Sequence, residues 1–413
     1  MCIRLVRRRT MLSPWKRKRS LAAGGLVAAA LAALLLPGAP ASAAAPCTGS
    51  VPYASGEGGY DTYRIPAVIE TRAGTLLAFA EGRVGGAGDT GNIDVVVKRS
   101  RDGGCTWGDL SIVAAGGGDT RGNPAPVIDP RTGRIVLLTS YNSGDVTEAQ
   151  IMRGEATAEQ SRRVFVQTSR DDGRSFSAPR DITATTKHAD WRWYATGPGH
   201  AVALTHGRHA GRLVVPANHS IAPPAGSADT GAEAKYYGAH SLYSDDGGQS
   251  WRIGFVDDSY DGVINSNESI AAELPDGILY FSSRDQNGTS PGNRLDSYSR
   301  DGGRTLTRPY AVEPTLNDVP VVQASVLQLA GKNAPLVFSG PSVPTARQSM
   351  ALWASEDRGA TFTKVLTLSQ DKAAYSDLVQ VDRRTVGLLY ETGVAGTYET
   401  ITFRRIPADV IAP

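Results

Sequence analysis

Ser100-Arg-Asp-Gly-Gly-Cys-Thr-Trp107 decides how this chain is read, because its pattern returns four more times. The other copies are Ser169-Arg-Asp-Asp-Gly-Arg-Ser-Phe176, Ser244-Asp-Asp-Gly-Gly-Gln-Ser-Trp251, Ser299-Arg-Asp-Gly-Gly-Arg-Thr-Leu306 and Ser355-Glu-Asp-Arg-Gly-Ala-Thr-Phe362. Their first residues lie 69, 75, 55 and 56 positions apart, so each copy marks one unit of about four strands. Within each octet the Asp is placed to accept bonds from the turn's own N–H groups, and the Gly two places on permits φ > 0. The octet therefore predicts a hairpin turn whose closing aromatic or Leu points into a core. A strand-forming run precedes every copy: Ile93 to Lys98, Arg163 to Gln167, Ala239 to Tyr243, Arg294 to Tyr298 and Gln348 to Trp353.

Outward from this repeat, the first 43 residues belong to no fold. Eight Arg and Lys between Arg4 and Arg19 form a basic n-region, Leu21 to Leu36 an apolar h-region, and Ala41-Ser42-Ala43 a small-residue cleavage site. This is a secretory signal, so the expectation is a secreted chain over 44–413. Arg8-Arg9-Thr10-Met11-Leu12 fits twin-arginine export, and a merely basic n-region fits equally well. Removing eight basic residues from 43 leaves 35 Lys and Arg against 41 Asp and Glu, a net charge near −6. A mildly acidic protein lacks the basic footprint of a nucleic-acid binder. No later apolar run reaches the roughly 18 residues of a membrane helix, which predicts no membrane anchor. The six histidines fall in no metal-ligand spacing, which predicts no metal.

The remaining stretch is rich in Gly and in short strand patterns, and suits one all-β propeller. Of three cysteines, Cys2 leaves with the signal. Cys47 and Cys105 are too far apart for a CxxC redox or zinc motif and face an oxidising compartment, so a disulfide is expected; two unrelated thiols are the alternative.

The octets have the form of Asp-boxes, and with them the chain resembles the sialidases of glycoside hydrolase family 33. The resemblance implies a six-bladed β-propeller with its boxes remote from the active site. Boxes also occur in non-enzymatic propellers, so other residues must carry the chemistry. Tyr63-Arg64-Ile65-Pro66 resembles the family's (Phe/Tyr)-Arg-Ile-Pro signature, whose Arg opens a triad that grips the substrate carboxylate. By the same resemblance Arg83 contacts a sugar hydroxyl and Asp89, on the Gly-rich loop Val84 to Asn92, is the acid/base. Asp94 is its rival but lies inside an apparent strand. Glu268 and Arg284 have the family's sixteen-residue spacing, with Glu273 the alternative glutamate. Arg347 takes the third place of the triad. Ala373-Ala374-Tyr375-Ser376-Asp377-Leu378 resembles the segment carrying the nucleophile, here Tyr375, and Glu391 would orient Arg64. Tyr390 is the alternative nucleophile, but strand alternation turns it away from the face of Glu391.

Three further stretches complete the reading. Ser143 to Arg163 is a long connecting insertion. Asp190 to Gly199, with Trp191, Trp193 and Tyr194, is either a packing strip or one wall of the pocket. Thr397 to Ile406 is a last strand that closes the ring.

The implied substrate explains the residue types. A sialic acid carries its carboxylate on the anomeric carbon, and three guanidiniums can hold it through bidentate, charge-assisted bonds. That carboxylate would repel an Asp or Glu nucleophile, whereas tyrosine starts neutral and needs only a neighbouring base, Glu268. The expectation is a retaining exo-α-sialidase acting on terminal α-linked sialic acids of glycans, glycoproteins or glycolipids, monomeric and without a cofactor. A trans-sialidase of the same fold and a non-catalytic carbohydrate-binding propeller are the alternatives.

Overall fold

Each box octet turns the third strand of a four-stranded antiparallel group into the fourth. The computed structural model describes residues 47–258, 263–288, 290–331 and 333–411; the leader read over residues 1–43 lies outside them. In the first group Thr62–Glu70, Leu76–Arg83, Ile93–Ser100 and Ser111–Ala114 pair in order. The up-and-down pattern repeats from Thr120–Ile128 to Arg180–Asp181, from Tyr194–Thr196 to Arg252–Asp257, from Ser266–Glu273 to Ala311–Val312 and from Ser325–Gln328 to Thr363–Thr367. A final group joins Lys372–Asp382, Thr385–Gly393 and Thr400–Pro407 to Gly49–Ala54. The ladders run within groups; the pairings between groups, among the described residues, are the single bridges Ile93 with Thr120 and Gln348 with Lys372. The sheets stay open.

Thr400–Pro407 thus covers most of the stretch expected at Thr397 to Ile406, but it does not form the edge of its sheet. The N-terminal strand pairs outside it, Ser50 opposite Phe403 and Tyr53 opposite Ile401.

What joins the groups is apolar packing. One buried layer puts Phe79 and Val97 of the first group against Ile135 and Leu137 of the second. Similar layers follow from group to group, and one of them sets Val68, Leu76 and Val96 of the first group against Val379, Leu389 and Phe403 of the last. Strands covered on both faces lose the alternation of a half-buried strand: Leu76–Arg83 and Leu213–Ser220 are buried at every position.

The octets fold as their residues dictate. Asp102 accepts from the N–H groups of Cys105 at 3.0 Å and Thr106 at 2.9 Å, and from the hydroxyls of Thr106 at 2.6 Å and Ser100 at 2.7 Å. The copies at Asp171, Asp246, Asp301 and Asp357 repeat the arrangement. Each turn also leans on the preceding group. Ser241 donates to Gly303 O at 2.5 Å, Tyr298 to Arg358 O at 3.2 Å and Ser50 to Gly104 O at 2.5 Å. Gly104, at φ +88°, must be glycine for a second reason, since a Cβ there would sit 2.1 Å from the Phe403 ring. The first box therefore clasps the last group, and a Cys47–Cys105 bridge with Cα atoms 5.9 Å apart lies at the same junction.

Candidate active site

In four of the groups the first strand breaks register against the second near one end. Shifts occur between Arg64 and Ala67, Gly122 and Ala125, Ser266 and Ser269, and Ala373 and Ser376. Such bulges re-aim side chains. Ile65 stands at φ +57°, a left-handed conformation that a β-branched residue adopts only when its surroundings hold it there. The holder is Glu391, fully buried, whose Oε1 accepts from Ile65 N at 2.9 Å and Arg64 Nε at 3.2 Å. Its Oε2 accepts from Tyr375 N at 3.2 Å. One carboxylate thereby sets the positions of both Arg64 and Tyr375.

Around Tyr375 the expected residues converge. Its hydroxyl lies 2.7 and 2.9 Å from the two Glu268 oxygens and donates to that carboxylate. Arg284 Nη1 reaches the same hydroxyl at 3.1 Å and Glu268 Oε2 at 2.6 Å. The Arg64 guanidinium lies 5.1 Å from the centre of the Tyr375 ring, and that of Arg347 5.6 Å. Burial and the Glu268 carboxylate push the phenol above its usual range, against the pull of Arg284, Arg64 and Arg347.

Asp89 sits beside Arg64 and Arg83, with Oδ1 at 3.3 and 2.8 Å from their Nη1 atoms. Burial pushes its carboxyl up, but these guanidiniums outweigh it and hold the group below the ordinary carboxylate range. Arg83 is fixed from behind by Glu81, through Nε at 2.9 Å and Nη2 at 2.5 Å.

All of these except Glu391 line one cavity of about 280 Å³. The rivals serve structure. Asp94 accepts from Tyr60 at 2.6 Å and Gly116 N at 2.6 Å, Glu273 ties down Thr205 and His206, and Tyr390 is buried in an apolar layer.

The aromatic stretch divides between its two readings. Trp191 and Tyr194 pack in a core layer, while Trp193 lines the cavity. The insertion from Ser143 to Arg163 contains the helix Glu148–Arg153, capped by Thr147 and Gln150, and puts Glu148 and Arg162 into the wall. Sequence reasoning missed both, along with Glu81, Asn123, Tyr237 and Tyr398. Of these Glu81 carried a signal, because strand alternation puts it on the face of Arg83. Tyr398 takes a hydrogen bond from Arg347 at 3.1 Å and stacks 4.2 Å from Arg64.

Unpaired polar atoms gather at this cavity. Arg64 Nη2, Arg162 Nε, Arg284 Nε, Asn218 Nδ2 and Asn267 Nδ2 are buried without a hydrogen-bond partner among the described residues. Such groups are costly unless something polar meets them, so the arrangement suits an anionic, hydroxyl-rich ligand. Among the described residues no cluster of three or more His, Cys, Asp or Glu could hold a metal, and no helix is long and apolar enough to cross a membrane.

Residues 74–389 match the family profile described as a BNR repeat-like domain. A sialidase of Micromonospora viridifaciens is 32% identical over 94% of this chain, which spans 60% of that relative's length. Among solved structures, the Hadza microbial sialidase Hz136 superposes with a TM-score of 0.74 at 28% identity, covering 88% of this chain and 69% of the other. A leech intramolecular trans-sialidase superposes with a TM-score of 0.71 at 17% identity, covering 89% of this chain and 71% of the other.

Proposed function

The chain belongs to the BNR repeat-like domain family, and on that premise we propose that it is a secreted, monomeric exo-α-sialidase with a six-bladed propeller fold and a tyrosine nucleophile. Its substrates are terminal α-linked sialic acids of glycans, glycoproteins and glycolipids. The observation that carries the reading is the Tyr375 hydroxyl bonded to Glu268 inside a ring of three guanidiniums. The apolar layer between last and first groups supports the propeller.

The chemistry follows from the charges. The substrate carboxylate settles among Arg64, Arg284 and Arg347, meeting donors that are otherwise unpaired. Tyr375 Oη attacks the anomeric carbon as its proton passes to Glu268, and the bond to the leaving oxygen breaks as Asp89 protonates it. Water then attacks the same carbon, activated by the Asp89 carboxylate, the Tyr375–carbon bond breaks, and Glu268 returns the proton to the phenolate. Two displacements retain configuration.

Asp89 must be protonated for the first step, whereas in the free site Arg64 and Arg83 favour its anion. The arriving carboxylate competes for Arg64 and adds a negative charge nearby. Both effects raise the Asp89 carboxyl, so substrate binding itself prepares the acid.

Release of 4-methylumbelliferone from its α-sialoside by the purified chain tests the proposal, with the glucoside and galactoside as controls. Turnover confined to the sialoside is expected; none would refute it. The likeness to the leech trans-sialidase fold keeps transfer as a second reading. Product analysis with an added galactoside acceptor separates the readings: hydrolysis gives the free acid, transfer to another molecule a sialylated acceptor, and intramolecular transfer a 2,7-anhydro sugar like the one bound in that neighbour.

A further inference from the structure

Resting on the sialidase reading, we take the substrate carboxylate as held by the three guanidiniums, and this fixes where the rest of the sugar lies. In a six-membered sugar ring carbon 5 stands across from the anomeric carbon 2. Arg64, Arg284 and Arg347 lie on the first, fourth and fifth groups. With the carboxylate between them, the carbon 5 substituent faces the wall contributed by the second and third groups, which includes Asn123, Glu148, Arg162, Trp193, Ala195 and Tyr237.

That wall holds two opposite charges that do not meet. Arg162 is 2% exposed, donates to Asn123 Oδ1 at 3.1 Å and leaves Nε unpaired. Glu148 accepts the Tyr237 hydroxyl. Burial raises the Glu148 carboxyl and lowers the Arg162 guanidinium, each shift opposed by the other's charge, and among the described residues no ion pair joins them. A ligand group between them should accept from the guanidinium and donate to the carboxylate, which a hydroxyl does through one oxygen.

An acetamido group also offers a donor and an acceptor, but it brings a methyl that needs an apolar seat. Beyond the single methyl of Ala195, the apolar surface at this wall is Trp193, and the Arg162 guanidinium already lies 3.6 Å over its ring. A methyl there would either displace the cation from the ring or lie against two charges whose polar contacts it cannot replace. We propose that the Arg162–Glu148 wall is a specificity site selecting a hydroxyl over an acetamido group at carbon 5, so that the preferred substrates are glycosides of 5-hydroxy nonulosonic acids.

The test compares kcat/KM for two 4-methylumbelliferyl α-ketosides that differ only in bearing hydroxyl or acetamido at carbon 5. The hydroxyl substrate should be favoured by roughly tenfold or more, the discrimination that one buried polar group left unpaired produces. Arg162→Leu, which uncovers Trp193, should bring the ratio to one or below, chiefly by improving the acetamido substrate. Glu148→Gln, on an accessible helix, should lower the ratio by weakening the hydroxyl substrate, and it keeps the test decisive if Arg162→Leu does not fold. A parent enzyme that favours the acetamido substrate, or a ratio unchanged in both folded variants, overturns this inference and leaves the sialidase reading intact. Failure to cleave either substrate overturns both.

Discussion

Glu391→Gln tests how far one buried carboxylate organises the site. Both of its oxygens are acceptors, Oε1 for Ile65 N and Arg64 Nε and Oε2 for Tyr375 N. A glutamine fills the same space but must turn its amide NH₂ toward one side or the other, so a donor faces a donor whichever way it flips. That alone costs about 1 to 3 kcal/mol. The variant also removes the charge facing Arg64, a buried guanidinium with Nη2 already unpaired; breaking a buried pair raises the total to about 3 to 5 kcal/mol. Denaturation followed by tryptophan fluorescence should show that loss as an earlier midpoint. Because the Ile65 backbone and Tyr375 both shift, kcat/KM should fall about a hundredfold, the scale of a 1 Å misplacement. A variant within about 1 kcal/mol of the parent and fully active would refute the view that Glu391 holds Arg64 and Tyr375 in place.

Three other outcomes are expected from the same contacts. Since the general acid works only when protonated, activity falls as pH rises through the Asp89 pKa, which is depressed in the free site; the alkaline limb of kcat should therefore lie at higher pH than that of kcat/KM, and coincident limbs would contradict this. The folded-state carboxyls of Asp102 and Asp171 are lowered to about 2, and those of Asp246, Asp301 and Asp357 lie below the ordinary range, so their contribution is present above the unfolded pKa of about 4 and lost as pH falls through the folded values. Asp102→Ala should cost about 1 to 2 kcal/mol near neutral pH, with turnover retained and the gap narrowing toward pH 2; lost turnover at unchanged stability would contradict a structural box. Non-reducing peptide mapping should recover Cys47 linked to Cys105, a bridge across a separation of 58 residues that stabilises by about 4 kcal/mol; two alkylatable thiols in protein purified without reductant from an oxidising compartment would rule it out.

What could be read from sequence depended on how local the determinant was. The box octets announce themselves because Asp, Gly and the following N–H groups satisfy one another within eight residues. The strand Gly49–Ala54 was illegible for the opposite reason: its partner is Thr400–Pro407, at the far end of the chain. Arg64, Arg83, Glu268, Arg284 and Tyr375 stood out through motifs and spacing, and the fold brings them to one cavity. Arg162 and Glu148 did not, because the helix Glu148–Arg153 and the irregular chain after it are too short to show a period that says which side chains turn inward. In Asp190 to Gly199 the aromatic residues mark an apolar environment, but only the backbone path separates Trp193 in the wall from Trp191 in the core.

The central claim is that Tyr375 forms the bond to the sugar. The direct measurement is peptide mass mapping of the enzyme after incubation with a 2,3-difluoro derivative of its substrate, whose electron-poor ring slows hydrolysis of the glycosyl-enzyme. A glycosyl adduct on Tyr375, absent from Tyr375→Phe, is the predicted result. An adduct on Glu268, Tyr390 or any other residue of the parent enzyme would contradict it.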